Sequence, residues 1–113
     1  MAPGFAADYV AGFNAAVATG DYAPLTAWYS EDAVLRFENV PPEAASLEFA
    51  GRQAIADAYA QNPPDDQIEL AGEPIERNGH VTVAFAWRRD GSPGVLDFVL
   101  ADGLISALTV TFG

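Results

Sequence analysis

The hydrophobic positions of the first thirty residues recur at helical spacing. Every fourth residue from Phe5 to Val17 is hydrophobic, which places these side chains on one stripe of a helix with 3.6 residues per turn. This spacing predicts a first helix from about Pro3 to Ala18, ended by Gly20-Asp21. A second, short helix is predicted from about Pro24 to Tyr29, closed by Ser30-Glu31-Asp32.

The rest of the chain is predicted as one more helix and six extended segments. Arg52 to Gln61 is predicted to be helical, because Ile55 and Tyr59 lie one turn apart with alanines between them. Asn78-Gly79 is a strong hairpin signal, and Asn39 to Ser46 is predicted as a loop because it contains two consecutive prolines. The extended segments are Ala33–Glu38, Leu47–Ala50, Gln67–Glu76, His80–Arg89, Val95–Ala101 and Leu104–Phe112.

This order of elements predicts a single α+β domain over residues 1–113, with the helices packed on one face of a bent sheet. The late strands carry apolar residues on both faces. The face that the helices leave uncovered is therefore predicted to meet a second copy of the chain, as a homodimer.

Composition and charge narrow the classes of function. The chain has 16 acidic and 5 basic residues, a net charge of −11, and a field of that sign repels phosphate backbones and anionic lipid. Neither a nucleic-acid nor a membrane partner is expected. With one histidine and no cysteine, neither a disulfide framework nor a transition-metal site is expected. Because no signal sequence or long apolar run is evident, the expected location is the cytoplasm.

Four short segments carry a resemblance to a known superfamily: Thr19–Tyr22, Trp28–Val34, Phe49–Ile55 and Asp102–Ile105. Their order and spacing resemble the nuclear transport factor 2-like superfamily, and within it the SnoaL-like and ketosteroid-isomerase-like proteins. The resemblance implies a cone-shaped (cystatin-like) roll, in which a curved, mainly antiparallel sheet packs on three N-terminal helices around a pocket for a small organic molecule. Because this fold hosts isomerases, cyclases, hydrolases, dehydratases and binding modules, it implies no single reaction.

Ketosteroid isomerase abstracts a proton with an Asp and stabilises the enolate with a Tyr and a protonated Asp. By the resemblance, the catalytic Tyr falls on Phe13 and the general-base Asp on Phe37, so both functional groups are missing here. The protonated Asp falls on Asp97 if the last hairpin is shortened, or on Leu100 if the surrounding string is matched directly.

Two tyrosines that support the catalytic Tyr in one branch of the family fall on Tyr29 and Tyr59. Without a Tyr at position 13 these hydroxyls need another partner, because a buried phenol without one is costly. The hypothesis is that Tyr29 or Tyr59 points its hydroxyl into the cavity.

Asp97 is the acidic residue embedded in the most apolar strand. If it faces the cavity it is a candidate acid or base. If it faces outward it lies at an interface or pairs with Arg88 or Arg89. A second charged pattern, Arg36 and Glu38 on one face of the first strand, is predicted to be a surface ion pair.

The resemblance also places seven residues where the superfamily lines its cavity, with ordinary core packing as the alternative for each. The function that follows is cofactor-independent acid–base chemistry, namely isomerisation, cyclisation or addition–elimination, on a hydrophobic oxygenated substrate such as a polyketide, terpenoid or steroid-like compound. The alternatives are a non-catalytic ligand-binding or dimerisation module and an epoxide hydrolase. The candidate catalytic residues are Asp97, Tyr29 and Tyr59, and the candidate lining residues are Phe13, Trp28, Phe37, Val83, Leu108, Val110 and Phe112.

Overall fold

The computed structural model describes residues 4–40 and 43–112. In that part of the chain a curved sheet of seven strands accompanies three helices. No described helix is long and apolar enough to span a membrane. In chain order the elements are α1 Phe5–Thr19, α2 Ala23–Thr26, β1 Tyr29–Val40, β2 Ala45–Ala50, α3 Arg52–Gln61, β3 Ile68–Leu70, β4 Ile75–Arg77, β5 His80–Trp87, β6 Pro93–Ala101 and β7 Leu104–Phe112.

The strands lie in the order β2-β1-β7-β6-β5-β3, and β4 pairs with a second part of β5. The β1–β7 pair is parallel and the other pairs are antiparallel. The long parallel pairing places the first strand beside the last strand within the sheet. The predicted α+β class and the curved, mainly antiparallel sheet are confirmed.

The largest difference from the sequence prediction lies between α2 and β1. The second helix ends at Thr26, and Tyr29 to Asp32, predicted as helix end and turn, begins β1 instead. Tyr29 pairs with Ile105 of β7, whose N–H donates to the carbonyl oxygen of Trp28. This long-range pairing buries Tyr29 completely, and tertiary burial outweighs the local preference of a short segment.

Smaller differences concern strand ends. The segment predicted as one strand, Gln67–Glu76, forms two three-residue strands that pair with successive parts of β5. β1 extends to Val40 and β2 starts at Ala45, which shortens the predicted loop. The double proline of that loop and the predicted first residue of α1, Pro3, lie outside the described residues.

Residues alternate between two faces of the sheet, as the period of a strand requires. The inner face, toward α1 and α3, is apolar and buried. The outer face carries the polar and charged side chains of the long strands. Inner-face residues of β1, β5, β6 and β7 that are buried include Leu35, Val81, Val83, Phe85, Leu96, Phe98, Leu108 and Val110.

Gly94 lets an aromatic ring lie directly on the sheet. It stands opposite Phe85 in the β5–β6 pair, and a Cβ added at Gly94 would lie 2.4 Å from the Phe85 ring and 2.9 Å from the carbonyl oxygen of Thr111. Phe85 is itself buried, and the Thr111 carbonyl belongs to the backbone of β7, so it cannot move aside as a side chain could. The missing side chain at position 94 therefore sets where Phe85 packs on the inner face.

Gly94→Ala should destabilise the fold by about 1–3 kcal/mol, because it overpacks a rigid, buried contact. The measurement is the free energy of unfolding from urea denaturation. Gly72→Ala is the matched control, since nothing lies within 4 Å of the Cβ it adds. Equal stabilities of the two variants would contradict this account.

Candidate functional site

The helices and the inner face of the sheet enclose a small apolar cavity of about 50 Å³. α1, α3 and strands β1, β3, β5, β6 and β7 each contribute to its wall. The wall is almost entirely hydrocarbon and aromatic, and two tyrosines are among its residues. The lining residues are Tyr9, Phe13, Phe37, Tyr59, Pro64, Ile68, Phe85, Trp87, Leu96 and Val110.

A wider apolar groove of about 300 Å³ lies beside this cavity and opens to the surface. Its sides come from β1, β2, the C-terminal end of α3 and the last residue of β7. Four residues line both spaces: Phe37, Tyr59, Pro64 and Trp87. The groove is therefore the entrance side of the buried cavity, and these four residues form the boundary between the two.

Three tyrosines meet at the inner end of the cavity. The hydroxyls of Tyr9 and Tyr29 are hydrogen-bonded at 2.8 Å, and either can be the donor. Tyr59 approaches both, and it influences the ionisation of each. Tyr9 lies on α1, Tyr29 begins β1 and Tyr59 lies on α3, so the cluster joins the three layers around the cavity. We call Tyr9, Tyr29 and Tyr59 the tyrosine cluster.

Burial holds these phenols in their neutral form. Desolvation raises the pKa of Tyr9 and Tyr29 well above the ordinary value, and the nearby Tyr59 raises both further. Desolvation also raises the pKa of Tyr59, although its neighbours Tyr29 and Tyr9 partly offset this shift. The cluster is therefore a set of neutral O–H groups at physiological pH, able to donate and accept hydrogen bonds but not to act as phenolate.

Within the cluster, Tyr59 is the phenol best placed to meet a ligand. Tyr9 and Tyr59 line the cavity, whereas Tyr29 is fully buried behind them. The short hydrogen bond of the cluster joins Tyr9 and Tyr29, and Tyr59 is a hydrogen-bonding neighbour of both that also lines the cavity. Of the two hydroxyls that the sequence suggested for the cavity, the structure places Tyr59 at its wall and Tyr29 in support.

Aromatic rings surround the boundary between cavity and groove. The Trp87 ring packs edge-on against Phe13 and Phe85 and stacks on Phe112 at 6.2 Å. Phe37 contacts Phe112 from the other side. Such contacts hold rings in place with about 0.5–1.5 kcal/mol per pair beyond area burial, so the boundary has a defined shape.

Charged groups lie outside the apolar surface. No charged side chain among the described residues lines the cavity or the groove. Asp65, Asp66, Arg89 and Asp90 lie at the rim, beside Trp87 and Phe112, and Arg89 pairs with Asp65 at 3.3 Å. The described residues also contain no group of three His, Asp or Glu side chains that could hold a metal ion. Among the lining residues, the titratable side chains are phenols.

Asp97 lies on the opposite face of the sheet. Its neighbours Leu96 and Phe98 point to the inner face, so strand alternation turns Asp97 outward. Its carboxylate accepts a hydrogen bond from the Thr82 hydroxyl at 3.3 Å. The whole sheet separates it from the tyrosine cluster, so a role as acid or base in this cavity does not fit its position. The outward-facing alternative is the one that the structure contains.

The remaining candidate residues divide between cavity, groove and core. Phe13, Phe37 and Val110 line the cavity, and Phe37 and Phe112 line the groove. Trp28 packs against Phe5 and Tyr9 rather than on the cavity. The last two, Val83 and Leu108, are buried in the core.

Two important residues were missing from the sequence-based set. Tyr9 lies one helical turn before Phe13 on the apolar stripe of α1, so its position predicted burial but not its hydroxyl partner. Trp87 follows Val83 and Phe85 at the strand period, which was the available signal that it shares their face. The Arg36–Glu38 ion pair is present on the outer face at 3.9 Å, but the shorter contact of Arg36 is 2.7 Å to Glu48.

Comparison with known protein structures identifies the fold of this chain. No family model and no curated protein matches the chain. Among solved structures, an NTF2-like protein of unknown function from Mesorhizobium loti is 25% identical over 95% of this chain and 89% of that one, with a TM-score of 0.65. A hypothetical protein with a ketosteroid isomerase-like fold from Catenulispora acidiphila, in complex with trimethylamine, is 14% identical over 94% and 85%, with a TM-score of 0.71. A Bacillus subtilis protein provisionally called an isomerase is 22% identical over 96% and 86%, with a TM-score of 0.64.

The chain has the nuclear transport factor 2-like fold. The resemblance inferred from sequence is thereby confirmed at the level of the fold. Tyr9, one helical turn before Phe13, supplies the hydroxyl that meets Tyr29. Phe37, where the resemblance implied a general base, is a wall of the cavity. This NTF2-like chain thus keeps a phenol cluster without a carboxylate beside it among the described residues.

Tyr29→Phe should lower the free energy of unfolding by about 1–3 kcal/mol, because it leaves the buried Tyr9 hydroxyl without its partner. Tyr9→Phe should have a similar cost, and the double variant should cost clearly less than the sum of the two. A double-mutant cycle from urea denaturation measures this coupling. Strict additivity would show that the 2.8 Å contact contributes nothing to stability.

Stability should fall steeply above about pH 10. A phenol whose folded pKa is raised contributes stability that is fully present below its unfolded value of about 10 and is lost as pH rises toward the folded value. Each buried tyrosine adds a slope of about 1.4 kcal/mol per pH unit in that range. Unfolding curves between about pH 8 and pH 11 measure it, and Tyr29→Phe should remove one such slope. Tyr22→Phe, at a partly buried site, should change it less.

Proposed function

We propose that this NTF2-like chain binds a small hydrophobic, oxygen-bearing molecule in the groove and cavity, with the tyrosine cluster as hydrogen-bond donor to its oxygen. The observation that carries the proposal is the position of Tyr59. It lies at the wall of both spaces, and its hydroxyl stands outside the 2.8 Å hydrogen bond that joins Tyr9 and Tyr29. A carbonyl, hydroxyl or ether oxygen on the ligand would accept a hydrogen bond from this phenol.

The dimensions favour a ligand that enters by one end. The cavity alone, at about 50 Å³, holds only a few atoms, while the groove offers about 300 Å³, the lower limit of common ligand sites. The oxygenated end of the ligand would reach past Phe37 and Trp87 toward Tyr59, and its hydrocarbon body would remain in the groove. Polyketide-, terpenoid- and steroid-like compounds fit this description, the last with repacking of Trp87 and Phe112.

The chemistry that the phenols support is stabilisation of a developing oxyanion. A neutral O–H held in an apolar site strengthens its hydrogen bond as negative charge grows on a carbonyl oxygen, which assists isomerisation or cyclisation. Removal of a substrate proton also requires a base, and no carboxylate lines the site in residues 4–40 and 43–112. The proposed role of the phenols is therefore to donate a hydrogen bond to the substrate oxygen during acid–base chemistry that uses no cofactor. Binding without turnover is the second candidate, and the lack of a base favours it.

The proposal treats residues 1–113 as one domain that acts in the cytoplasm as a homodimer. The solved relatives support a small-molecule site only in general terms, because one of them was solved in complex with trimethylamine. Support for the homodimer comes from the outer face of the sheet, where Val95 is exposed and small apolar side chains continue into β1 and β7.

α-Tetralone and tetralin test the hydrogen bond, since they differ mainly in one carbonyl oxygen. α-Tetralone should bind more tightly, by about fivefold or more, because a typical hydrogen bond contributes about 1 kcal/mol. Quenching of Trp87 fluorescence, in a Trp28→Phe background, measures both affinities. Tyr59→Phe should remove the difference between the two probes while tetralin binding stays nearly unchanged.

Tyr22→Phe is the matched control. Its ring stacks on Tyr59 at 5.1 Å, but its hydroxyl donates to the carbonyl oxygen of Pro64 instead of lining the cavity. This variant should preserve the preference for the ketone. Equal binding of both probes by the wild-type chain would refute the hydrogen bond, and failure of both to bind in the groove would refute the site.

A further inference from the structure

Two residues with polar side chains follow one another along the same wall of the groove. Tyr59 lies near the end of α3, and Asn62 directly follows this helix, about one turn further on. Both line the groove, but only Tyr59 also lines the inner cavity. Because Tyr59 is buried and Asn62 is exposed, the first marks the inner end of the groove and the second lies near its mouth.

The other groove-lining residues in the described part of the chain are apolar, apart from the indole N–H of Trp87. Apolar walls fit the hydrocarbon body of a ligand but do not fix its orientation, which depends on a few polar groups. Tyr59 and Asn62 are therefore the two side chains that could define how an oxygen-bearing ligand lies in the groove.

The end of α3 does not depend on the Asn62 side chain. The backbone N–H of Asn62 donates to the carbonyl oxygen of Ala58 at 2.9 Å and closes the last turn. Pro63 disfavours a helical backbone in the residue before it, and Asn62 accordingly has φ −135° and ψ 67°. Within residues 4–40 and 43–112, no side-chain hydrogen bond fixes the Asn62 amide, so a ligand can bind it by replacing solvent alone.

Tyr22 holds this wall of the groove in place. Its ring stacks on Tyr59, with the centroids 5.1 Å apart and the planes within 7° of parallel. Its hydroxyl donates to the carbonyl oxygen of Pro64 at 3.1 Å, and the two prolines after Asn62 have a restricted φ. Tyr59 and Asn62 thus lie on one braced segment, so a ligand that binds both does not first have to order it.

The electrostatic surroundings favour an uncharged group beside Asn62. No cationic side chain among the described residues lines the groove. At the rim, Arg89 is already paired with Asp65 at 3.3 Å, and Asp66 and Asp90 lie nearby. A ligand carboxylate would lose its water without gaining a cation, in a chain of net charge −11. The amide of Asn62 both donates and accepts hydrogen bonds, which suits a hydroxyl or a carbonyl group.

We propose that Asn62 is a second ligand-binding residue, and that the ligand is a neutral hydrophobic molecule with two oxygen functions. Tyr59 binds the oxygen at the buried end, and Asn62 binds a hydroxyl or carbonyl oxygen near the mouth of the groove. This inference rests on the proposed function and narrows its ligand class from one oxygen function to two. It also makes Asn62 the residue that determines which end of the ligand enters first.

Substituted tetralones test the second contact. 6-Hydroxy-1-tetralone carries a hydroxyl on the ring away from its carbonyl, and 6-methyl-1-tetralone replaces that hydroxyl by a group of similar size that forms no hydrogen bond. The 7-hydroxy and 7-methyl pair samples a second direction. In at least one pair the hydroxyl compound should bind about fivefold more tightly, the gain expected from one hydrogen bond. Isothermal titration calorimetry measures the affinities.

Asn62→Ala should reduce this hydroxyl preference by about fivefold while binding of α-tetralone, which lacks the second oxygen, stays nearly unchanged. The variant should fold, because it keeps the backbone N–H that closes α3, and circular dichroism checks this. Gln61→Ala is the matched control: Gln61 is the exposed neighbour of Asn62 and does not line the groove. This control should keep the hydroxyl preference.

A charged analogue tests the requirement for a neutral ligand. The 6-carboxylate of α-tetralone should bind at least about fivefold more weakly than 6-methyl-1-tetralone, because no cation offsets the loss of its water. Tighter binding of the carboxylate would overturn the neutral class.

The outcomes distinguish this inference from the function on which it rests. Equal binding of α-tetralone and tetralin refutes the hydrogen bond to Tyr59, and the two-oxygen ligand is refuted with it. A clear preference for α-tetralone, combined with no hydroxyl preference in either pair or with one that Asn62→Ala leaves intact, overturns the role of Asn62 alone. A hydroxyl preference that Asn62→Ala removes and Gln61→Ala keeps supports the second contact.

Discussion

The alternation of side chains along the three central strands governs this molecule. Adjacent residues of β1, β6 and β7 point to opposite faces, so the same nine to twelve residues supply both a cavity wall and an outer surface. A shift of one residue in any of these strands would send polar or charged side chains into the apolar interior and apolar side chains to the surface. The same strand register therefore makes the cavity wall apolar and the outer face polar.

A dry interior determines how the phenols behave. With no charged side chain lining the cavity among the described residues, the hydroxyls of the tyrosine cluster have one another as partners, and burial raises their pKa values. Tyr9, a helical turn before Phe13, satisfies the Tyr29 hydroxyl. Stability and recognition thus depend on the same cluster: the Tyr9–Tyr29 hydrogen bond joins α1 to β1, and in the proposed function Tyr59, at the cavity wall, meets the ligand.

The sequence predicted the parts of the structure that have a strong period or a strong turn signal. α3 and β7 have the predicted bounds, and the curved sheet follows from the order of elements. The start of β1 was predicted wrongly, because its strand conformation depends on pairing with Ile105, 76 positions away from Tyr29. Only Tyr29 and Tyr59 of the tyrosine cluster were predicted. Helical spacing places Tyr9 and Phe13 on one face but does not show which hydroxyl meets Tyr29. Asp97 illustrates a general limit: where neighbours on both sides are apolar, the pattern does not indicate which face is inside.

Because β1, β6 and β7 supply both the cavity wall and the outer face, their packing affects how the site would accommodate a ligand. Phe37, Leu96 and Val110 form cavity walls on the inner face, and each is the sequence neighbour of an outer-face residue, namely Arg36, Asp97 and Thr109. In the proposed dimer these strands would be packed on both faces, and close-packed layers resist deformation. Expansion of a cavity of about 50 Å³ would then fall to the aromatic boundary at Trp87 and Phe112 and to the C-terminal end of α3, where the groove is open. Ligand size would be decided at this boundary, whereas ligand chemistry would be decided by Tyr59.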